Sequence, residues 1–182
     1  MPHPTSASED NGPPRTQAER AALAESRMIT AAIELLNTVG LQGTTAAAVG
    51  LNAGYSSGLA AHHFGTKAGL YRAVLKHVST IWSDELDASL GDKTGLEAVA
   101  TAIDTHLAHA LSHPEFIRAQ NILWGAALDP SSEFKPNVAE FMQIQRDTVT
   151  AWVREGKANG EIGKNINARR AVEQFYGARA EL

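Results

Sequence analysis

The chain contains no cysteine. Disulfide frameworks, thiolate metal centres and cysteine nucleophiles are therefore excluded. Long apolar runs are also missing. No stretch approaches the roughly 20 apolar residues that a membrane span needs. Met1 to Gly12 carries Pro2, Pro4, Glu9 and Asp10 and lacks the apolar centre of a signal peptide. Strict alternation of apolar and polar residues persists nowhere, which argues against strands. There is no phosphate loop, no metal-binding signature and no Ser/His/Asp spacing of the kind a hydrolase needs. The expectation is a cytoplasmic protein that is not an enzyme and needs no cofactor and no metal.

What is present is enough for a packed core. The chain has 182 residues, of which 43% are hydrophobic, which bounds the answer at one or two small domains. The formal net charge of −4 argues at first against a nucleic-acid partner. Its distribution is more informative. Residues 13–77 hold six Lys/Arg (Arg15, Arg20, Arg27, Lys67, Arg72 and Lys76) against three acids, Glu19, Glu25 and Glu34. Residues 78–182 carry 10 basic and 15 acidic residues. A mildly basic front before an acidic back suits a two-part protein whose front meets phosphate.

The pattern along the chain is helical throughout. Residues 1–14, rich in Pro, Ser and acids, read as a flexible tail. Thr16 and Glu19 form a capping box that opens a first helix, and Ile29, Ala32, Ile33 and Leu36 mark its buried face. Gly40 ends it. A second helix runs from about Thr45 to Ala53, Gly54 supplies a turn, and Ser56 is the expected N-cap of a third helix over about Ser57–Phe64. Thr66 caps a fourth, with an apolar stripe of Leu70, Val74, Val78 and Ile81. Further helices are expected over about 96–111, from Pro114 to before Asp129, over about 137–158 and over about 167–182.

Two short helices joined at Gly54-Tyr55-Ser56 make a helix-turn-helix, a unit that lays its second helix in a major groove. Ala46, Val49, Ala53 and Ala60 are small enough for close crossing, and Tyr55 and Phe64 plug the shared core. The residues that carry the pattern are Ala31-Ala32, Glu34-Leu35, Gly40, Thr44-Thr45, Val49, Ala53-Gly54-Tyr55-Ser56, Gly58, His63-Phe64-Gly65-Thr66-Lys67 and Leu70. From Arg27 to Leu70 the chain resembles the TetR family of repressors. The resemblance implies an all-α fold: an N-terminal three-helix helix-turn-helix DNA-binding domain (15–66) followed by a C-terminal helical ligand-binding and dimerisation domain (67–182). It implies phosphate contacts from Thr44 or Thr45, His62, His63, Thr66 and Lys67. Base edges would be read by Ser57, Gly58 and Leu59, and Ser56 is counted with the DNA-binding residues. Position 57 is often Lys or Arg in the family and is Ser here, so the third helix has no fixed cation. Specificity would then lean on thymine methyls against Leu59 or Ala61 and on duplex shape.

Other features are weighed against plainer readings. His62 and His63 point about 100° apart on a helix, so phosphate contact is favoured over a shared ion. His106, His109 and His113 recur at i, i+3 and i+7. That spacing could present imidazoles to a metal; solvated or packed histidines near a helix C-terminus are the commoner outcome. Trp82, His106, Phe116, Trp124 and Phe141 are candidates for lining a ligand pocket, against the ordinary role of aromatics as core. Val138, Met142, Gln145, Val149 and Trp152 form a seam that suits either the monomer core or a partner helix. The expected function is a homodimeric repressor, paired through about 137–158 and 167–182. It would bind a near-palindromic double-stranded operator and be released by a small-molecule effector. The alternatives are a helical adaptor or a small enzyme that does not bind DNA.

Overall fold

The computed structural model describes residues 16–175. The expected tail at 1–14 and the end of the last helix at 176–182 lie outside the described residues. Among those described, eight helices and no strand are found: α1 (Gln17–Gly43), α2 (Ala46–Asn52), α3 (Leu59–Phe64), α4 (Lys67–Leu90), α5 (Gly95–Ser112), α6 (Pro114–Ala127), α7 (Lys135–Ala158) and α8 (Ala168–Phe175). None of them is long and apolar enough to cross a membrane.

Helix α1 starts on the predicted capping box. The Glu19 backbone N–H donates to Thr16 Oγ1 at 3.2 Å, and the Thr16 N–H donates back to Glu19 Oε2 at 2.7 Å. Its inner face is Met28, Ile29, Ala32, Ile33 and Leu36, all buried. Each large side chain there contributes about 1.5–3 kcal/mol by leaving water. The helix breaks at Gly40 (φ 70°) as expected, but one further turn follows it to Gly43. That turn is closed by Thr44, whose N–H and hydroxyl both donate to the Gly40 carbonyl at 3.2 and 2.8 Å.

One hydrophobic core runs through α1, α2, α3, the first half of α4, α6 and the start of α7. The seam of α7 is settled by it: Val138 and Met142 are buried in this core, and Val149 in a smaller cluster with Val153 and Val172. The inward face of α7 is thus spent within the chain. Helix α8 begins at Ala168, where the Asn167 side chain accepts from the Arg170 N–H at 3.0 Å.

Tyr71, 2% exposed, joins the two halves of the molecule. From α4 its hydroxyl donates to the Leu41 carbonyl in the last turn of α1 at 2.8 Å, with the Thr44 carbonyl at 3.4 Å. Its ring meets Phe134 edge-on with centroids 5.5 Å apart. Burial pushes the phenol pKa up to about 12. The phenol is neutral in both folded and unfolded chains below about pH 10. Between about 10 and 12 only the unfolded chain ionises, so the stability that Tyr71 contributes is lost as pH rises through that window. Tyr71→Phe is expected to lower stability by about 0.5–1.5 kcal/mol at neutral pH and to make the alkaline decline shallower. Urea unfolding at neutral and alkaline pH checks both.

Candidate nucleic-acid interface

The helix-turn-helix is shaped by two glycines with different tasks. Gly54 takes φ 80°, which disfavours any residue with a Cβ. The turn is a Schellman motif: the Tyr55 N–H donates to the Gly50 carbonyl at 2.9 Å, and the Gly54 N–H to the Leu51 carbonyl at 3.1 Å. Gly50 is needed for closeness instead. A Cβ placed there would lie 2.5 Å from the Ser56 carbonyl oxygen. The backbone of the turn therefore rests directly on α2, which fixes the angle at which α3 leaves.

Helix α3 begins later than the sequence predicts. Ser56 is not its cap; Gly58 occupies that position, with no side-chain cap bond. The Ser56 carbonyl is used in the turn, accepting from the Leu59 N–H at 3.1 Å, and the residue lies over Gly50. Ser56, Ser57 and Gly58 stand exposed ahead of the helix, followed by exposed Ala61 and His62. Leu59 is half-buried and packs partly on the core, as do Tyr55 and Phe64. Ser57, Gly58 and His62 thus form an outward ridge with Leu59 at its foot.

The expected phosphate contacts divide. Thr44 is corrected: it is fully buried, because its hydroxyl is turned back to the Gly40 carbonyl. Thr45 is exposed and caps α2, accepting from the Ala48 N–H at 3.1 Å. Thr66 caps α4 in the same way, accepting from the Gly69 N–H at 3.0 Å. Lys67 follows it, exposed, with Nζ 5.7 Å from the Tyr71 ring centre. No acid occupies the first turn of α4, so the helix dipole and Lys67 together present positive potential there. His63 has a partner within the chain, its Nε2 lying 3.3 Å from Glu25 on α1.

The aromatic candidates for a ligand pocket do not all come together. Trp124 and Phe141 line a cleft of about 540 Å³ with Arg72, Leu75, Lys76 and Ser79. Trp82 pairs edge-on with His106, centroids 6.5 Å apart. Phe116 stacks on His113 at 5.0 Å. Sequence reasoning missed Arg72 and Lys76 as lining residues; their i, i+4 spacing was visible, but not the helix facing them. The His106 pKa is lowered by burial and, secondarily, by the neighbouring His109.

Residues 28–74 match the family model described as bacterial regulatory proteins, tetR family. A stretch of 58 residues is 40% identical to the HTH-type transcriptional regulator BetI of Burkholderia cenocepacia (strain HI2424), covering 31% of this chain and 30% of that one. BetI of Burkholderia thailandensis is likewise 40% identical over 52 residues, 29% of this chain and 27% of the relative. The match thus spans less than a third of the length of these relatives. The fold as a whole is similar to the crystal structure of NalD, the secondary repressor of the MexAB-OprM multidrug efflux pump in Pseudomonas aeruginosa. The TM-score is 0.65 at 18% identity, over 87% of this chain and 80% of that one. A Rhodococcus sp. protein assigned to the TetR family gives a TM-score of 0.68 at 16% identity, over 85% and 82% of the two chains.

Gly50→Ala is expected to force the Ser56 turn off α2. Such overpacking costs about 1–3 kcal/mol. A lowered denaturant midpoint, with helix content kept at low denaturant, is the expected result. An unchanged midpoint would mean that the turn yields without cost.

Proposed function

Because the chain belongs, through residues 28–74, to the tetR family of bacterial regulatory proteins, we propose that it is a cytoplasmic, homodimeric transcriptional repressor released from its operator by a small molecule. The observation that carries this reading is the outward ridge of Ser57, Gly58 and His62 on a turn held rigidly to α2. We take 15–66 as the reading head and 67–182 as the ligand-binding and dimerisation part, with α4 running from one into the other. The ridge enters the major groove. Thr45, Thr66 and Lys67 grip phosphates on either side, and His63 joins them by exchanging Glu25 for a phosphate. Two copies bind a near-palindrome, half-sites about 34–36 Å apart.

Pairing uses the last two helices. Since Val138, Met142 and Val149 face inward, the face of α7 that carries exposed Ile144, Thr148 and Ala151 is the one offered to a partner. The effector site is the cleft beside α4. Arg72 and Lys76 at its wall with Trp124 and Phe141 opposite suit a flat ligand bearing negative charge. A ligand there shifts α4 and with it the spacing of the two heads. Complete switching from 1:99 to 99:1 takes about 5.5 kcal/mol of differential binding.

Gel shifts with DNA flanking the protein's own gene test the reading; a chain that retards none of it is an adaptor. Lys67→Ala is expected to weaken all duplexes alike. It should also reduce the slope of log affinity against log salt by about 0.9 per protomer. An unchanged slope removes Lys67 from the phosphate contacts. Ser57→Ala is expected to change preference among operator variants, by about 1–3 kcal/mol at one base pair; an unaltered preference profile would place the reading face elsewhere.

A further inference from the structure

On the side of α4 away from the cleft, three donor groups converge from two helices. Glu85 lies on α4. His109 lies in the last turn of α5, and His113 follows the end of that helix. The i, i+4 spacing sets the two imidazoles on one face, and the His113 N–H still donates to the His109 carbonyl at 2.8 Å. The carboxylate sits between them. Its Oε2 is 2.6 Å from His109 Nδ1, and its Oε1 is 3.2 Å from His113 Nε2. One donor atom from each residue falls within 4.8 Å of the other two.

His109 offers one nitrogen to this cluster. The His109 side chain is 1% exposed, and its Nε2 is buried with no hydrogen-bond partner. Nδ1, turned to the Glu85 carboxylate, is therefore the nitrogen through which His109 would bind an ion, with the proton kept on Nε2. Among the described residues the ion pairs of Glu85 are with these two histidines, and no lysine or arginine is paired with it. We propose that Glu85, His109 and His113 bind a divalent transition-metal ion of the zinc class.

The chemistry of the donors selects the ion. Two imidazoles and one carboxylate suit zinc and its late first-row neighbours, whereas magnesium and calcium prefer oxygen alone. Bonds of about 2.0–2.2 Å place tetrahedral donors roughly 3.3 Å apart. The two contacts use different oxygens of Glu85, and the three donor atoms, within 4.8 Å of one another, draw in by up to about 1.5 Å to reach that spacing. Glu85 and His113 are only half-buried, so water completes the coordination.

The position gives the ion a route to the reading head, and this part rests on the function proposed above. The His113 carbonyl accepts from the Phe116 and Ile117 N–H groups at 3.0 and 3.3 Å and so starts α6. Two residues along, the Glu115 carbonyl accepts from the Asn37 side chain of α1 at 3.0 Å. Drawing Glu85 and His113 onto an ion therefore fixes α4 against the α5–α6 corner that holds α1.

The test uses the full chain, stripped with chelator and titrated with Co²⁺, whose visible bands report tetrahedral nitrogen–oxygen coordination. The wild type is expected to develop those bands and to lose them when Zn²⁺ displaces the cobalt. His113→Gln and Glu85→Gln, both at half-exposed positions, should each weaken binding at least about tenfold with the thermal melt retained. His106→Gln should leave binding unchanged. Absence of the bands in the wild type, or equal affinity in His113→Gln, overturns the site. Gel shifts with and without Zn²⁺ then test the coupling. A shift in operator affinity that His113→Gln abolishes supports it, and a metal-bound wild type with unmoved operator affinity overturns it. A chain that binds cobalt through these residues but no DNA under either condition overturns the repressor reading and keeps the site.

Discussion

The rest of the structure depends on one helix that runs from beside the helix-turn-helix into the C-terminal half. The first turns of α4 bury Leu70, Tyr71 and Val74 against α1 and α3, and its later turns bury Val78 and Leu86. No glycine or proline interrupts it after Gly69, so nothing along its length gives way as a kinked helix would. The Tyr71 hydroxyl then ties it to the Leu41 carbonyl, at the corner where α1 turns toward α2. The reading ridge is thus held by the same element that walls the cleft and carries Glu85. Whatever displaces α4 displaces the head with it, because packed interiors respond as rigid bodies and not as fluids.

Much of the architecture was legible because local chemistry and long-range packing agree. The Thr16–Glu19 box, the buried face of α1, the breaks at Gly40 and Gly54 and the Thr66 cap each follow from rules confined to a few neighbouring residues. The helix boundaries of α5, α6 and α7 lay within two residues of expectation for the same reason. What failed was decided by contacts that no local rule contains. Thr44 and Thr45 are both good caps by type. Only the extra turn after Gly40 shows that the first is turned inward and the second outward. Ser56 is a natural N-cap by composition, but the approach of its carbonyl to Gly50 uses it in the turn.

The aromatic candidates divide for a different reason. Spacing assigns residues to a face of their own helix, but it does not say which helix stands opposite. Trp124 and Phe141 therefore met across the cleft, while Trp82 and Phe116 found histidines elsewhere. The three histidines of α5 show the same limit. Their repeat was visible, and so was the idea of a metal. The spacing favoured His106 as the third member, but the structure replaces it with Glu85, a carboxylate 24 residues upstream of His109.

The bare surface of α3 has a consequence for search. Residues 59–64 carry no lysine or arginine. Attraction to arbitrary duplex comes almost wholly from cations set against phosphate, and a genome offers about 10⁶–10⁹ decoy positions. On the function proposed above, that attraction is left to Lys67 and the other cations of α1 and α4, and the helix in the groove adds none of it. Discrimination would then rest on fit to the base edges and the duplex shape and not on charge from this helix.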